Sequence, residues 1–126
     1  MSVNKPTEFE LEILNVLWQR GPSTVREVFE EIQPQRETGY TTVLKMMQLM
    51  ADKGLLDREE ESRAHVYRTA SPKEEMQQNL VKDLIGRAFG GSALAMLQAA
   101  VSGGVASRKE IAELRKLLDA KKGRTK

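Results

Sequence analysis

Gly39-Tyr40-Thr41-Thr42-Val43-Leu44-Lys45-Met46-Met47-Gln48-Leu49-Met50-Ala51-Asp52-Lys53-Gly54-Leu55-Leu56 is the stretch that decides the fold. Val43, Met46, Met47 and Met50 recur at helical spacing and make one apolar stripe, while Thr41, Thr42, Lys45, Gln48 and Asp52 fall on the opposite face. The spacing predicts a helix from about Gly39 to Lys53, with Gly54 as its C-terminal stop. Beyond Gly54 the period changes. Leu55 to Glu59 and His65 to Thr69 read as two short strands joined through Glu60-Glu61-Ser62-Arg63, a hairpin whose turn carries neither Gly nor Asn.

Upstream, two helix starts are written in side chains. Thr7-Glu8-Phe9-Glu10 fits a capping box, in which the hydroxyl serves one orphan amide and the glutamate reaches back to another. Phe9, Ile13, Val16 and Leu17 then repeat at helical spacing, Leu14 and Trp18 widen the face, and Gly21-Pro22 stops the run. Thr24 with Glu27 makes a second box. Val25, Val28, Phe29 and Ile32 follow at helical positions, and Pro34 ends that shorter helix. Three helices and a hairpin within about 65 residues make the winged helix-turn-helix plan, whose third helix enters the major groove and whose hairpin is the wing.

Downstream the chain is helical again. Ser71-Pro72-Lys73-Glu74 signals a helix start with Pro at the first position. Met76, Leu80, Leu84 and Ala88 keep one face apolar up to Phe89-Gly90-Gly91. Ser92 to Val101, including Leu94 and Leu97, is a weakly polar helix, and Ser102-Gly103-Gly104 is a loop. Ser107 with Glu110 caps a last helix bearing Ile111, Leu114, Leu117 and Leu118, followed by a basic tail, Lys121 to Lys126, expected to fray. The expected fold class is therefore mostly α, a winged helix-turn-helix domain over residues 1–70 followed by a small three-helix dimerisation domain over 71–126. Three helices of that size bury too little apolar surface to stand alone. A homodimer is expected, held by Met76, Leu80, Leu84, Leu94, Leu97, Ile111, Leu114 and Leu118.

Composition narrows the function. The 126 residues include no cysteine and one histidine, so disulfides, thiolate metal sites and cysteine nucleophiles are excluded and no metal or cofactor is expected. No Gly-rich phosphate loop, Ser-His-Asp set or paired carboxylates can be assembled, which argues against an enzyme. No run approaches the ~18 apolar residues of a membrane span, and Met1 to Pro6 lacks the apolar core of a signal peptide, so no membrane insertion and a cytoplasmic location are expected. Net charge is +2, but residues 1–70 carry 9 Lys+Arg against 12 Asp+Glu and residues 71–126 carry 11 against 6. Bulk charge in the first half cannot drive DNA binding.

Thr7 to Leu14 with Val16-Leu17-Trp18, Thr24 to Val28, Tyr40 to Val43, Lys53 to Leu56, Arg63 to Tyr67, Phe89 to Ser92 and Glu110 to Leu118 together resemble the penicillinase-repressor family, the BlaI/MecI/CopY type of winged-helix repressor. The resemblance spans about Thr7 to Leu118. It implies a dimeric repressor on an inverted-repeat operator, released when a partner membrane metalloprotease, activated by a signal such as a β-lactam, cleaves it. Members commonly carry Thr, Arg and Arg where this chain has Lys45, Gln48 and Leu49, so its operator need not share the TACA-type half-sites of the best-known members. The copper-responsive branch uses a cysteine cluster that is absent here. The β-lactam-responsive branch is cut at an Asn-Phe pair, where this chain reads Gln98-Ala99-Ala100-Val101, which makes Ala99 and Ala100 the candidate cleavage region.

The candidate DNA-binding residues are Tyr40, Thr41, Thr42, Lys45, Gln48 and Arg63. Short hydroxyls near a helix N-terminus suit phosphate oxygens and thymine methyls, and Lys45 and Gln48 one turn later reach base edges. The bland reading is a merely solvated helix face, on which Leu49 would be out of place. Tyr40 fits a core or staple aromatic as well as a phosphate donor. Arg63, beside Arg58 and Arg68, is placed to neutralise phosphates, with a solvated turn residue as the plain alternative; Glu59-Glu60-Glu61 would repel the backbone, so they read foremost as a solvated turn, or as a tip held off the duplex or lowering non-specific affinity. His65 is expected partly buried in its strand, and Trp18 and the Met stripe are expected in the core. The alternative function is a winged-helix protein-interaction module whose acidic first half docks a protein without reading bases.

Overall fold

The computed structural model describes residues 5–59 and 65–124, the side chains up to residue 121. Among the described residues six helices and three strands follow in the order α1 (Glu8–Arg20), β1 (Ser23–Thr24), α2 (Val25–Ile32), α3 (Tyr40–Asp52), β2 (Leu56–Glu59), β3 (Val66–Thr69), α4 (Lys73–Ala88), α5 (Ala93–Ser102) and α6 (Arg108–Arg124). The chain divides into two compact units, residues 1–80 and 81–126.

In the first unit both anticipated capping boxes close. Thr7 Oγ1 accepts from the Glu10 amide at 3.3 Å while Glu10 Oε1 accepts from the Thr7 amide at 2.8 Å. Thr24 and Glu27 repeat this at 3.2 and 2.9 Å. Each box satisfies two amides that the helix itself leaves orphaned. Helices α1, α2 and α3 then bury Ile13, Leu14 and Leu17, Val25, Val28 and Ile32, and Val43, Met47 and Met50 around one core. Leu55, Leu56, Tyr67 and Met76 complete it, and Trp18, Phe29 and Met46 pack against it half-buried. Gly54 at φ 87° ends α3 in a backbone conformation that L side chains rarely adopt, and so turns the chain directly into the wing.

The sheet has three strands, not two. β3 lies between β1 and β2, antiparallel to both, with Ser23 opposite Tyr67, Thr24 opposite Val66, and Leu56 to Glu59 opposite Thr69 to Val66. β1 is only two residues long, too short to show an alternating pattern. Thr24 serves both as strand partner and as N-cap of α2. The strand joins the wing to the helical core. His65 is exposed, contrary to expectation, and β3 begins one residue after it, at Val66.

Met76, placed among the dimerisation residues by its periodicity, is 8% exposed in the core of this first unit, and Leu80 packs against that core. The start of α4 therefore belongs to the winged unit.

The second unit contains the rest of α4 with α5 and α6. Ser92 Oγ accepts from the Ala95 amide at 3.0 Å to cap α5, and Ser107 with Glu110 forms the third capping box at 3.1 and 3.2 Å. Helix α6 continues to Arg124, past the point where fraying was expected to begin. Leu97, Ile111 and Leu114 are half-buried, while Leu84, Leu94 and Leu118 are exposed. Among the described residues no single helix is long and apolar enough to cross a membrane.

Candidate nucleic-acid interface

Helix α3 is held in place by its apolar face and by charge pairs on either side of it. Lys53, just past its C-terminus, donates to Glu10 Oε2 at 2.7 Å, and the Glu10 side chain is only 4% exposed. Burial opposes ionisation of Glu10, but the Lys53 hydrogen bond, the Thr7 amide and the nearby ammonium charge outweigh it and hold the carboxyl below its ordinary 4.5. On the loop before α3, Arg36 grips Glu12 of α1 through Nε and Nη2 at 2.9 and 2.8 Å and lies 4.4 Å from the centroid of the Phe9 ring. That bidentate pair lowers the Glu12 pKa and raises that of Arg36. Arg20 reaches Glu27 and Glu31 of α2 at 3.5 and 3.4 Å. The ends of the three helices are thus tied to one another by ion pairs placed around the apolar core.

The outward face of α3 presents Thr41, Thr42, Lys45, Gln48 and Asp52, all exposed, with Leu49 at 55% among them. Its N-terminus differs from those of α1 and α2. Gly39 supplies no side-chain cap and no acidic residue lies in the first turn. The partial positive charge of the first amides therefore faces outward uncompensated, an arrangement that suits phosphate oxygens.

Tyr40 packs as a staple aromatic and still keeps part of its ring in solvent. Its ring stands edge-on to Phe29, 6.0 Å between centroids, which makes it a staple between α2 and α3. It is also 37% exposed, with the Arg26 guanidinium 4.9 Å from its ring centroid. Arg26, exposed in the first turn of α2, thereby joins Tyr40, Thr41 and Thr42 at one end of the face. Sequence reading missed it: its position in a helix is legible, but its stacking on a ring fourteen residues later is a tertiary contact.

The wing is less basic than its arginines suggest, since Arg68 pairs with Glu59 on the neighbouring strand. Glu59, read with Glu60 and Glu61 as part of a solvated turn, instead neutralises an arginine. Arg63, Glu60 and Glu61 lie outside the described residues.

The sequence profile of the penicillinase repressor family matches residues 6–120. The chain belongs to that family. Among relatives, the transcriptional regulator BlaI of Mycobacterium tuberculosis is 33% identical over 82 residues, which cover 64% of this chain and 59% of the regulator, so the match spans about three fifths of that protein's length. The methicillin resistance regulatory protein MecI of Mammaliicoccus sciuri is 25% identical over 112 residues, 89% of this chain and 91% of MecI. Two solved structures share the winged-helix fold of this penicillinase repressor relative. The DNA-binding domain of the repressor BlaI superposes with a TM-score of 0.52 at 23% identity, covering 58% of this chain and 89% of that one. The monomeric form of Bacillus licheniformis BlaI in complex with the blaP half-operator gives 0.50 at 24% identity, covering 56% and 87%.

Proposed function

We propose that this penicillinase repressor family member is a sequence-specific DNA-binding transcriptional repressor that acts as a homodimer on an inverted-repeat operator. The observation that carries the reading is the exposed face of α3, where Thr41, Thr42, Lys45 and Gln48 stand on a helix fixed at both ends, beside Tyr40 with Arg26 stacked on it. Placed in a major groove, the N-terminal hydroxyls and Arg26 hold phosphates while Lys45 and Gln48 address base edges. Arg63 adds a phosphate contact from the wing. The acidic balance of the first half keeps non-specific affinity low, so that binding depends on this one face and on two such faces acting together.

Dimerisation supplies the second face. Leu84, Leu94 and Leu118 are exposed and Leu97, Ile111 and Leu114 only half-covered, which supports a partner copy over these helices. The second half-site is then met at high effective concentration. Cutting the chain inside the second unit, so that α5 and α6 are severed from the winged unit, removes that gain without touching a base contact. Release follows from a partner membrane metalloprotease cutting within Gly90 to Gly104, the segment that holds Ala99 and Ala100 in α5 between two glycine pairs, and it leaves a weak monomeric DNA-binding fragment.

Selection from random duplexes with the full chain tests the core of this. An inverted repeat with a two-fold symmetric footprint, bound with a linear dependence of log affinity on log salt, is the expected result. Recovery of no preferred sequence would favour instead a winged unit that docks a protein through its acidic surface.

A further inference from the structure

Among the described residues of the first unit, large apolar side chains are exposed at two positions only, Tyr40 and Leu49, and both lie on α3. Tyr40 has its explanation in Phe29 and Arg26. Leu49 has none in the fold. It lies one turn beyond Lys45 and two turns beyond Thr42, on the polar face, while the core side of the helix is already filled by Val43, Met47 and Met50.

A lone exposed leucine is ordinary on a protein surface. Its place among groups that read bases makes it informative. An isobutyl group donates and accepts no hydrogen bond and carries no charge, so it serves neither a phosphate nor the polar edge of a base. In the major groove one base feature rewards it, the C5-methyl of thymine. Thr41 and Thr42 offer methyls at the helix N-terminus, two turns away; beside Lys45 and Gln48 the exposed large apolar side chain is Leu49, 55% exposed.

We propose that Leu49 is a specificity-determining residue that reads the C5-methyl group of one thymine in each half-site. The inference rests on the DNA-binding reading above and deepens it. Desolvation of two apolar groups against each other supplies the preference, so cytosine or uracil at that position is disfavoured without any unpaired hydrogen bond.

The test uses the full chain and the duplex recovered by selection. Each thymine in turn is replaced by deoxyuridine, which removes the methyl and leaves every hydrogen-bonding atom in place. One position, the same in both half-sites, should weaken wild-type binding by about fourfold per half-site, the value of roughly one buried methyl-sized group. Leu49→Ala should bind the thymine duplex more weakly by a similar factor and lose its sensitivity to uracil there. The replaced side chain is exposed and alanine favours helix, so the core is undisturbed, and the wild-type uracil series requires no variant at all. A wild type indifferent to uracil at every position overturns the thymine contact while specific DNA binding stands. So does a Leu49→Ala protein that keeps the full uracil effect, which would assign Leu49 to another surface. Failure to select any preferred duplex removes the DNA-binding reading itself and this contact with it.

Discussion

The two units solve the problem of burying apolar surface in opposite ways. The first, with α1 to α3 and the sheet, buries thirteen hydrophobic residues among those described, from Ile13 to Met76. The second buries none among the described residues and exposes seven large ones, from Val81 to Leu118. Both obey the same local rules, since capping boxes and apolar stripes occur in each. The difference teaches that local helix signals say where a helix forms but not whether its apolar face has a partner within the chain. A helix of this length owes most of its stability to what covers that face. The first unit carries its own cover, and the second leaves exposed the apolar side chains over which the proposed second copy would pack.

The largest expected effect breaks that comparison at its weaker side. Leu84, 48% exposed, is a better target than Leu80, which packs against the first core. Leu84→Asp places a charge in the proposed interface, where burial without a partner is costly. Sedimentation should report a monomer, and operator affinity should fall by about 10²- to 10⁴-fold through lost avidity. Amide protection in α1 to α3 should persist while that in α5 and α6 collapses. A Leu84→Asp dimer of unchanged affinity would show that the second unit is covered in some other way.

What was legible in the sequence divides along the same line. The helices, their caps at Thr7, Thr24 and Ser107, and the apolar stripe of α3 are encoded within a few neighbouring residues, and the structure has them close to the expected bounds. What escaped depends on residues far apart. Met76 continues the stripe of Leu80 and Leu84, but periodicity does not say that its first turn is covered by the winged core. The two-residue β1, the exposure of His65 where its strand has not yet begun, and the Arg26–Tyr40 stack are all set by tertiary contacts. On the site, the exposed polar face of α3 was readable from spacing, whereas the neutralisation of Arg68 by Glu59 was not.

A smaller effect sharpens the comparison through pH. The Glu10–Lys53 pair ties α1 to the end of α3 and lies wholly in the first unit. Because the Glu10 carboxyl titrates below its ordinary value in the folded state, its contribution is fully present above the unfolded carboxyl pKa and is lost as pH falls through the folded one. Glu10→Gln should therefore lower first-unit stability by about 1–2 kcal/mol near neutral pH. The deficit should shrink as pH drops below about 4. Denaturation of wild type and variant at several pH values measures it, and the dimerisation constant should not move. A deficit that stays constant down to strong acid would mean that the pair contributes nothing as an ion.

The smallest effect compares one motif in both settings. Thr24 with Glu27 and Ser107 with Glu110 form the same capping box with nearly the same distances, but the first is part-buried against the sheet and the second is exposed. Thr24→Ala should cost about 1–2 kcal/mol, because the unsatisfied amide remains in a consolidated environment and the residue also pairs with Val66 in the sheet. Ser107→Ala should cost about 0.5 kcal/mol or less, since water replaces the lost bond at an exposed helix start. Chemical denaturation at one fixed, high protein concentration, which keeps the proposed dimer associated, separates the two. Equal losses would mean that α6 is anchored as firmly at its start as α2, and the contrast between a self-covered unit and one with an exposed apolar face would then have to be drawn further along the helix, at Leu117 and Leu118.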